Sequence, residues 1–454
     1  MRYVMISLLV ITFLAWIISF PFQKKWIRSI TKEQKGPLLV WVLFFYGTLN
    51  FRKIESESLI VSNISQLVAI ALVVFCTFFL FLLRARSGSL KINLNCTLLL
   101  LYGVLGMVSS VYSPYPSFST YKAFIVVLSI WLCIISFSYV PRYDLAKKFI
   151  GLCLFFWTSC VFSAILGAVI SPELAFIYRP GMMFSMLSGW LIPANPNGLA
   201  MWAGVLALVS FNSFLTAGNP KKKLVSLSFF FVNLIVLIVA QSRTCFVGFW
   251  VGLLLLMVSY RKGFIYLLII FMVGLPLIVG YGFVKIRDDV GTYIKRGQSK
   301  QQLEGGSGRL NAWQYSWGRF KESPILGYGF AAGVRFGAVI PGSTGSHLHS
   351  SYFEVLLNSG MIGFLPWISC LILTSKDILK RLLFRPRWFT PKLKNFHVGI
   401  AALWIFLLLR TTTGTMFVQF EPSFILYLAI ILYCEAIRRP PNQPTVGNLP
   451  TAQS

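Results

Sequence analysis

KKKLVSLSFFFVNLIVLIVAQSRTCFVGFWVGLLLLMVSYRK, from Lys221 to Lys262, holds two apolar runs almost back to back. The runs, at 224–240 and 244–260, each approach the length of about 20 residues that crosses a bilayer core as helix. Only Gln241-Ser242-Arg243-Thr244 joins them. Basic residues bracket the pair, with Lys221, Lys222 and Lys223 before it and Arg261-Lys262 after it. Short loops on the cytoplasmic side of a membrane collect Lys and Arg. The pattern therefore predicts two antiparallel spans with both basic ends inside and a tight turn outside.

The rest of the chain follows this pattern. Of 454 residues, 56% are hydrophobic and only 12% charged, against about 25% charged in a soluble domain. Apolar runs at 3–20, 36–51, 66–83, 96–113, 123–140, 149–170, 195–216, 263–284, 351–374, 396–411 and 421–437 complete an all-α polytopic membrane protein of about 12–13 transmembrane helices. The run at 3–20 has no small-residue cleavage site and reads as a retained span. With the N-terminus outside, alternate loops carry Lys24, Lys25, Arg28, Lys32 and Lys35; Arg84, Arg86 and Lys91; Arg142, Lys147 and Lys148; the 376–394 stretch; and Arg438-Arg439. Arg52-Lys53, offset by Glu55 and Glu57, departs from that parity. The net charge of +28 thus lies in short loops that meet anionic lipid, which points away from nucleic acid. The eight cysteines all lie in or beside apolar segments at no metal spacing, and read as small hydrophobes.

Four regions result: an N-terminal helix bundle over 1–284, a large external loop over 285–350, C-terminal spans over 351–437 and a Pro-rich polar tail over 438–454, read as disordered. Chemistry gathers on the external side. In SHLHSSYFE, Ser351 and Glu354 have the spacing of a capping box, which puts His349 just ahead of a helix N-terminus. The dipole there disfavours a second proton on the ring, and a neutral imidazole can serve as a general base. On a regular helix Gly360 and Gly363 fall beneath His349 and open a groove. An interfacial histidine over an ordinary small-residue packing face is the other reading. His347 reads as a loop residue.

Arg243, in its tight turn, lies at or below the membrane surface, where a charge either marks a site or snorkels to headgroups. In the large loop Arg309 follows a Gly-rich stretch, and 310–320 is an amphipathic segment. Planar, permanently charged Arg suits bidentate binding of phosphate oxygens. Trp313 faces either a sugar or the bilayer interface. Gly327-Tyr328-Gly329 marks a turn. Asn195-Pro196 is a helix N-cap followed by Pro at the first position. Lys122, Arg179 and Arg410 add external cations. With several cations, one candidate base and few acids, the site suits a substrate that brings its own negative charge, such as a lipid-linked diphosphate, with no metal or other cofactor.

His349-Ser350, nine residues, Gly360, two residues and Gly363 resemble the signature of the O-antigen ligases. Gly308-Arg309, Trp313 and Pro324-Ile325-Leu326-Gly327-Tyr328-Gly329 are similar to the external loop of the wider O-antigen ligase and polymerase superfamily, and Ser242-Arg243-Thr244 and Asn195-Pro196-Asn197-Gly198 look like elements found there. The resemblance implies metal-independent, inverting glycosyl transfer at the periplasmic face of a bacterial inner membrane. The donor would be a glycan on undecaprenyl diphosphate, and the acceptor lipid A-core or a growing lipid-linked polysaccharide. It makes His349 the base and gives Arg309 and Arg243 the diphosphate; the external cations Lys122, Arg179 and Arg410, with Gly360, Gly363 and Trp313, are the substrate-binding candidates. A lipid-linked oligosaccharide flippase or other polysaccharide exporter would also need cations, but near mid-membrane and often between internal repeats.

Overall fold

A computed structural model describes residues 30, 32–48, 58–85, 93–138, 142–178, 185–190, 195–260, 309–333, 348–384, 386–418 and 421–438. The predicted spans at 3–20 and 263–284, together with Arg179 and His347, lie outside these residues. Over the described residues, each of the other predicted spans is a helix. They are α1 (Lys32–Thr48), α2 (Ser58–Ala85), α3 (Leu94–Val108, extended by a 3-10 turn to Val111), α4 (Pro116–Ser138), α5 (Arg142–Ile170), α7 (Pro196–Thr216), α8 (Pro220–Val239), α9 (Arg243–Ser259), α11 (Ser351–Leu383), α12 (Pro391–Thr412) and α13 (Pro422–Ala436). The short α6 (Pro172–Ala175) and a two-stranded pairing of Phe176–Ile177 with Met186–Leu187 fill one connection, and α10 (Arg309–Glu322) lies in the large loop. The chain is an all-α polytopic membrane protein, and seven of the described helices are long and apolar enough to span a bilayer.

The helix ends follow local chemistry. Asn195 caps α7 by accepting from the Gly198 N–H at 2.7 Å, with Pro196 next, as its sequence predicts. Asn219 and Thr390 cap α8 and α12 in the same way, each followed by Pro. All eight cysteines are free thiols, and all but Cys76 are buried.

Small residues bring α7, α9 and α12 together. A Cβ on Gly204 would come within 2.9 Å of the Phe406 ring, one on Gly248 within 3.1 Å of it, and one on Gly252 within 3.1 Å of the Ala402 carbonyl. Without an external hydrophobic drive in lipid, such close approach is what binds helices. It also sets the register of the functional end. Arg243 lies nine residues before Gly252 on α9, and Arg410 eight residues after Ala402 on the antiparallel α12. At 1.5 Å per residue both stand about 12–14 Å from that contact on the same side, and so at one level.

Two non-helical segments are tied into the helix bundle, the first largely buried and the second exposed over Pro324–Leu326. The first, Thr413–Val418 between α12 and α13, is tied down by side chains of α3 and α11. Ser351 Oγ donates to the carbonyl of Gly414 (2.9 Å) or Met416 (2.8 Å) and accepts from Met416 N, Trp367 Nε1 donates to Phe417 O at 2.8 Å, and Tyr102 OH donates to Val418 O at 2.7 Å. Irregular backbone at membrane depth needs partners of this kind, because lipid offers none.

The second is the Pro324–Gly329 strap, which enters a break in α11. Gly360 has φ +56° and ψ −162°, so α11 is two helices joined at a kink. In an unbroken helix Met361 and Ile362 N–H would bond Leu357 and Asn358 O. Here Met361 N donates to Pro324 O (2.9 Å) and Ile362 N to Ile325 O (3.2 Å), while Leu357 O accepts from Tyr328 N (3.0 Å) and Asn358 O from Gly329 N (2.9 Å). Two intrahelical bonds are exchanged for four bonds to the strap. The regular helix assumed in placing Gly360 and Gly363 beneath His349 is therefore corrected: the backbone of Ile325 and Leu326 fills the space beside Gly360.

Candidate functional site

The predicted amphipathic segment is α10. Ser316 and Phe320 are its buried residues, and its hydrophilic side carries Arg319, Lys321 and Glu322. Trp313, one turn after Arg309, donates its indole N–H to Leu348 O at 2.9 Å and stacks on Phe353 at 5.6 Å between centroids. Trp313 thus faces neither sugar nor lipid through its N–H, and is engaged with the segment that carries His349. At the other end of α10, Tyr328 OH donates to Arg319 O at 2.9 Å, and Arg319 lies over the Tyr328 ring. The turn read as Gly327-Tyr328-Gly329 is thus the docking end of the strap. A Cβ on Gly327 would fall 2.6 Å from Gly360 N, so both glycines are needed for the backbones to meet.

His349 is half-buried, with φ +53°. A non-glycine residue in the left-handed region costs about 1–2 kcal/mol, and such strain concentrates at functional sites. The N-cap of α11 is Ser350 rather than Ser351, and its side chain makes no capping bond. The capping box is therefore corrected. Ser351 has turned inward to the Thr413–Val418 segment, and the buried carboxylate of Glu354 accepts from the Thr415 hydroxyl. Tertiary partners have taken both side chains from the helix end.

The arginines converge. Burial first, then the charges of Arg410 and Arg243 in that order, hold the Arg309 guanidinium below its usual pKa. Three cations from α9, α10 and α12 therefore share one electrostatic neighbourhood. Arg410 is only 8% exposed, donates from Nη1 to Thr413 O at 2.9 Å and packs against Gly414. Its Nε is buried without a hydrogen-bond partner among the described residues, as is the hydroxyl of Ser242 beside Arg243. Among those residues no carboxylate forms an ion pair with Arg309 or Arg410. Arg410 is buried and Arg243 and Arg309 are half-buried, and cations gathered out of water are costly unless an anion completes them.

Contacts and chain neighbours lead from the cations to the histidine. Arg410 touches Gly414, Gly414 bonds Ser351, Ser351 lies two residues from His349, His349 follows Leu348, and Leu348 bonds Trp313, one turn from Arg309. The α7 N-terminus joins the same end, with Cys245 Sγ 3.6 Å from Asn197 O. Lys122 lies near the start of α4 with its ammonium 5.6 Å from the Phe118 ring centroid, a partner on its own helix. A Cβ on Gly363 would meet Ser359 and come within 3.8 Å of the Tyr102 ring. Arg410 is among the cations the sequence singles out, whereas the Thr413–Val418 segment that it bonds is not; the run Thr411-Thr412-Thr413-Gly414-Thr415 between two spans is the signal for it.

Fold and site together describe a multi-pass helical membrane protein that gathers buried and half-buried cations and a half-buried imidazole at one end of its bundle. Residues 228–368 match the family model described as O-antigen ligase. The match supports the O-antigen ligase and polymerase superfamily, a glycosyltransferase-like group, and it takes in Arg243, Arg309 and His349. No curated protein matches the chain.

Proposed function

We propose that the chain is an O-antigen ligase-like or polymerase-like glycosyltransferase working at the periplasmic face of a bacterial inner membrane. It moves a glycan from undecaprenyl diphosphate onto a sugar hydroxyl of lipid A-core or of a second lipid-linked glycan. The observation that carries this reading is the electrostatic coupling of Arg309 to Arg410 and Arg243, with the bonds of Trp313 to Leu348 and of Ser351 to Gly414 flanking a histidine held in a left-handed conformation.

In this mechanism His349 takes the proton from the acceptor hydroxyl as the oxygen attacks the anomeric carbon of the donor. The bond from that carbon to the diphosphate oxygen breaks, and its electron pair leaves with the lipid diphosphate. Arg309 and Arg243 stabilise the charge that develops there, most effectively in a site withdrawn from water. Attack opposite the leaving group inverts the anomeric centre. Arg410, and on the same face Lys122, add positive potential; Arg179 is placed in this set by the sequence alone.

The test is purified protein given a glycan on undecaprenyl diphosphate, with lipid A-core or further donor as acceptor. Glycan on lipid A-core identifies a ligase, and a ladder of lengthening lipid-linked chains a polymerase. Passage of the intact glycolipid across liposomes, with no product from either acceptor, would overturn the proposal in favour of a transporter.

A further inference from the structure

The left-handed backbone at His349 needs something to hold it. The carbonyl of Leu348 belongs to the same peptide plane as the N–H of His349, so a bond to that carbonyl restrains the rotation that sets φ at His349. The indole N–H of Trp313 makes that bond at 2.9 Å. Leu348 is buried beside Leu357, with Ala312, Tyr328 and Phe353 packed around them. Two residues further on, Ser351 is bolted to the Thr413–Val418 segment. His349 is therefore clamped on both sides, and the clamp before it comes from the helix that carries Arg309.

Building on the role given to His349 above, we infer that Trp313 is a positioning residue: its indole N–H fixes the Leu348–His349 peptide so that the imidazole meets the acceptor hydroxyl. The N–H is consumed inside the protein, so Trp313 does not hydrogen-bond the glycan through it. Because Arg309 and Trp313 lie four residues apart on one helix face, the element that seats the leaving-group cation also seats the base. The strap makes the coupling rigid, since Tyr328 bonds both α10, through Arg319 O, and the broken turn of α11, through Leu357 O.

Trp313→Phe separates this role from general packing. Phenylalanine keeps an aromatic ring for Phe353 and removes the donor together with part of the indole's volume, a packing loss that the pyrophosphate readout below tells apart. In the full-length purified protein, kcat for glycan transfer is expected to fall between about tenfold and about a hundredfold, the scale of a misplacement near 1 Å. The KM for the lipid-linked donor, and inhibition by inorganic pyrophosphate, should stay within about twofold of the parent. A variant that merely loosens α10 would disturb Arg309 as well and weaken pyrophosphate inhibition. Unchanged kcat in Trp313→Phe, or loss of kcat in step with pyrophosphate inhibition, would overturn the positioning role. Assayed alongside, His349→Ala separates the two claims. If it is inactive while Trp313→Phe is fully active, only the positioning inference fails. If it is fully active, the base assignment fails and the inference with it.

Discussion

Gly360→Ala tests the strap. The glycine has φ +56° and ψ −162°, and a Cβ there would run into the carbonyl of Ile325 and come within 2.7 Å of Leu326 N. Both neighbours are backbone, so neither can swing aside. If the kink persists, the alanine bears about 1–3 kcal/mol of conformational strain plus the clash. If α11 instead closes into a regular helix, Met361 and Ile362 regain Leu357 and Asn358 as partners. Pro324 O, Ile325 O, Tyr328 N and Gly329 N are then left unmatched. That outcome loses a net two hydrogen bonds, about 1–3 kcal/mol, and releases the strap that holds α10. Either route lowers stability, and the second also unseats Arg309 and Trp313. Gly318→Ala is the control, because that glycine lies within α10 with nothing within 4 Å of its would-be Cβ; it should gain about 0.5–1 kcal/mol. Thermal unfolding in detergent, followed by intrinsic tryptophan fluorescence, and glycan transfer are the assays. A Gly360→Ala protein that melts with the parent and transfers glycan at the parental rate would refute the strap's role.

Arg309→Ala should cost more transfer activity than Arg309→Lys, since lysine restores the charge without the planar fork; equal losses would show that the charge alone recovers nothing there. Ser351→Ala strips Gly414, Met416 O and Met416 N of a shared partner. At about 1–3 kcal/mol for a buried group left unmade, a lower melting temperature is expected; no change would mean that water replaces the hydroxyl. EDTA should leave transfer rates unchanged, and metal-restored activity after chelation would contradict a mechanism resting on arginine alone.

Much of this architecture is visible in the residues. Apolar length and the alternation of basic loops predict the described spans, because the bilayer imposes both. Asn195-Pro196 and the periodicity of 310–320 place a cap and a helix correctly, since each depends on neighbours in sequence. Interactions between distant segments are not visible in the same way. Gly360 reads as one more small residue in a span until the strap is seen to exchange hydrogen bonds with it. Ser351 and Glu354 have capping-box spacing, yet tertiary partners around Gly414 and Thr415 outbid the helix end. Trp313 has the composition of an interfacial aromatic, and only the fold shows Leu348 as its acceptor. Arg243, Arg309 and Arg410 are separated by long stretches of sequence, and only the packing of α9 against α12, with α10 docked on α11, makes them one cluster.

The most direct measurement is the transfer rate of His349→Ala beside the parent, at matched membrane abundance, with a glycan on undecaprenyl diphosphate as donor. A variant that is abundant, still inhibited or retained by pyrophosphate, and unable to form product is the expected result. Parental product from an abundant His349→Ala protein would contradict the role of the histidine as base.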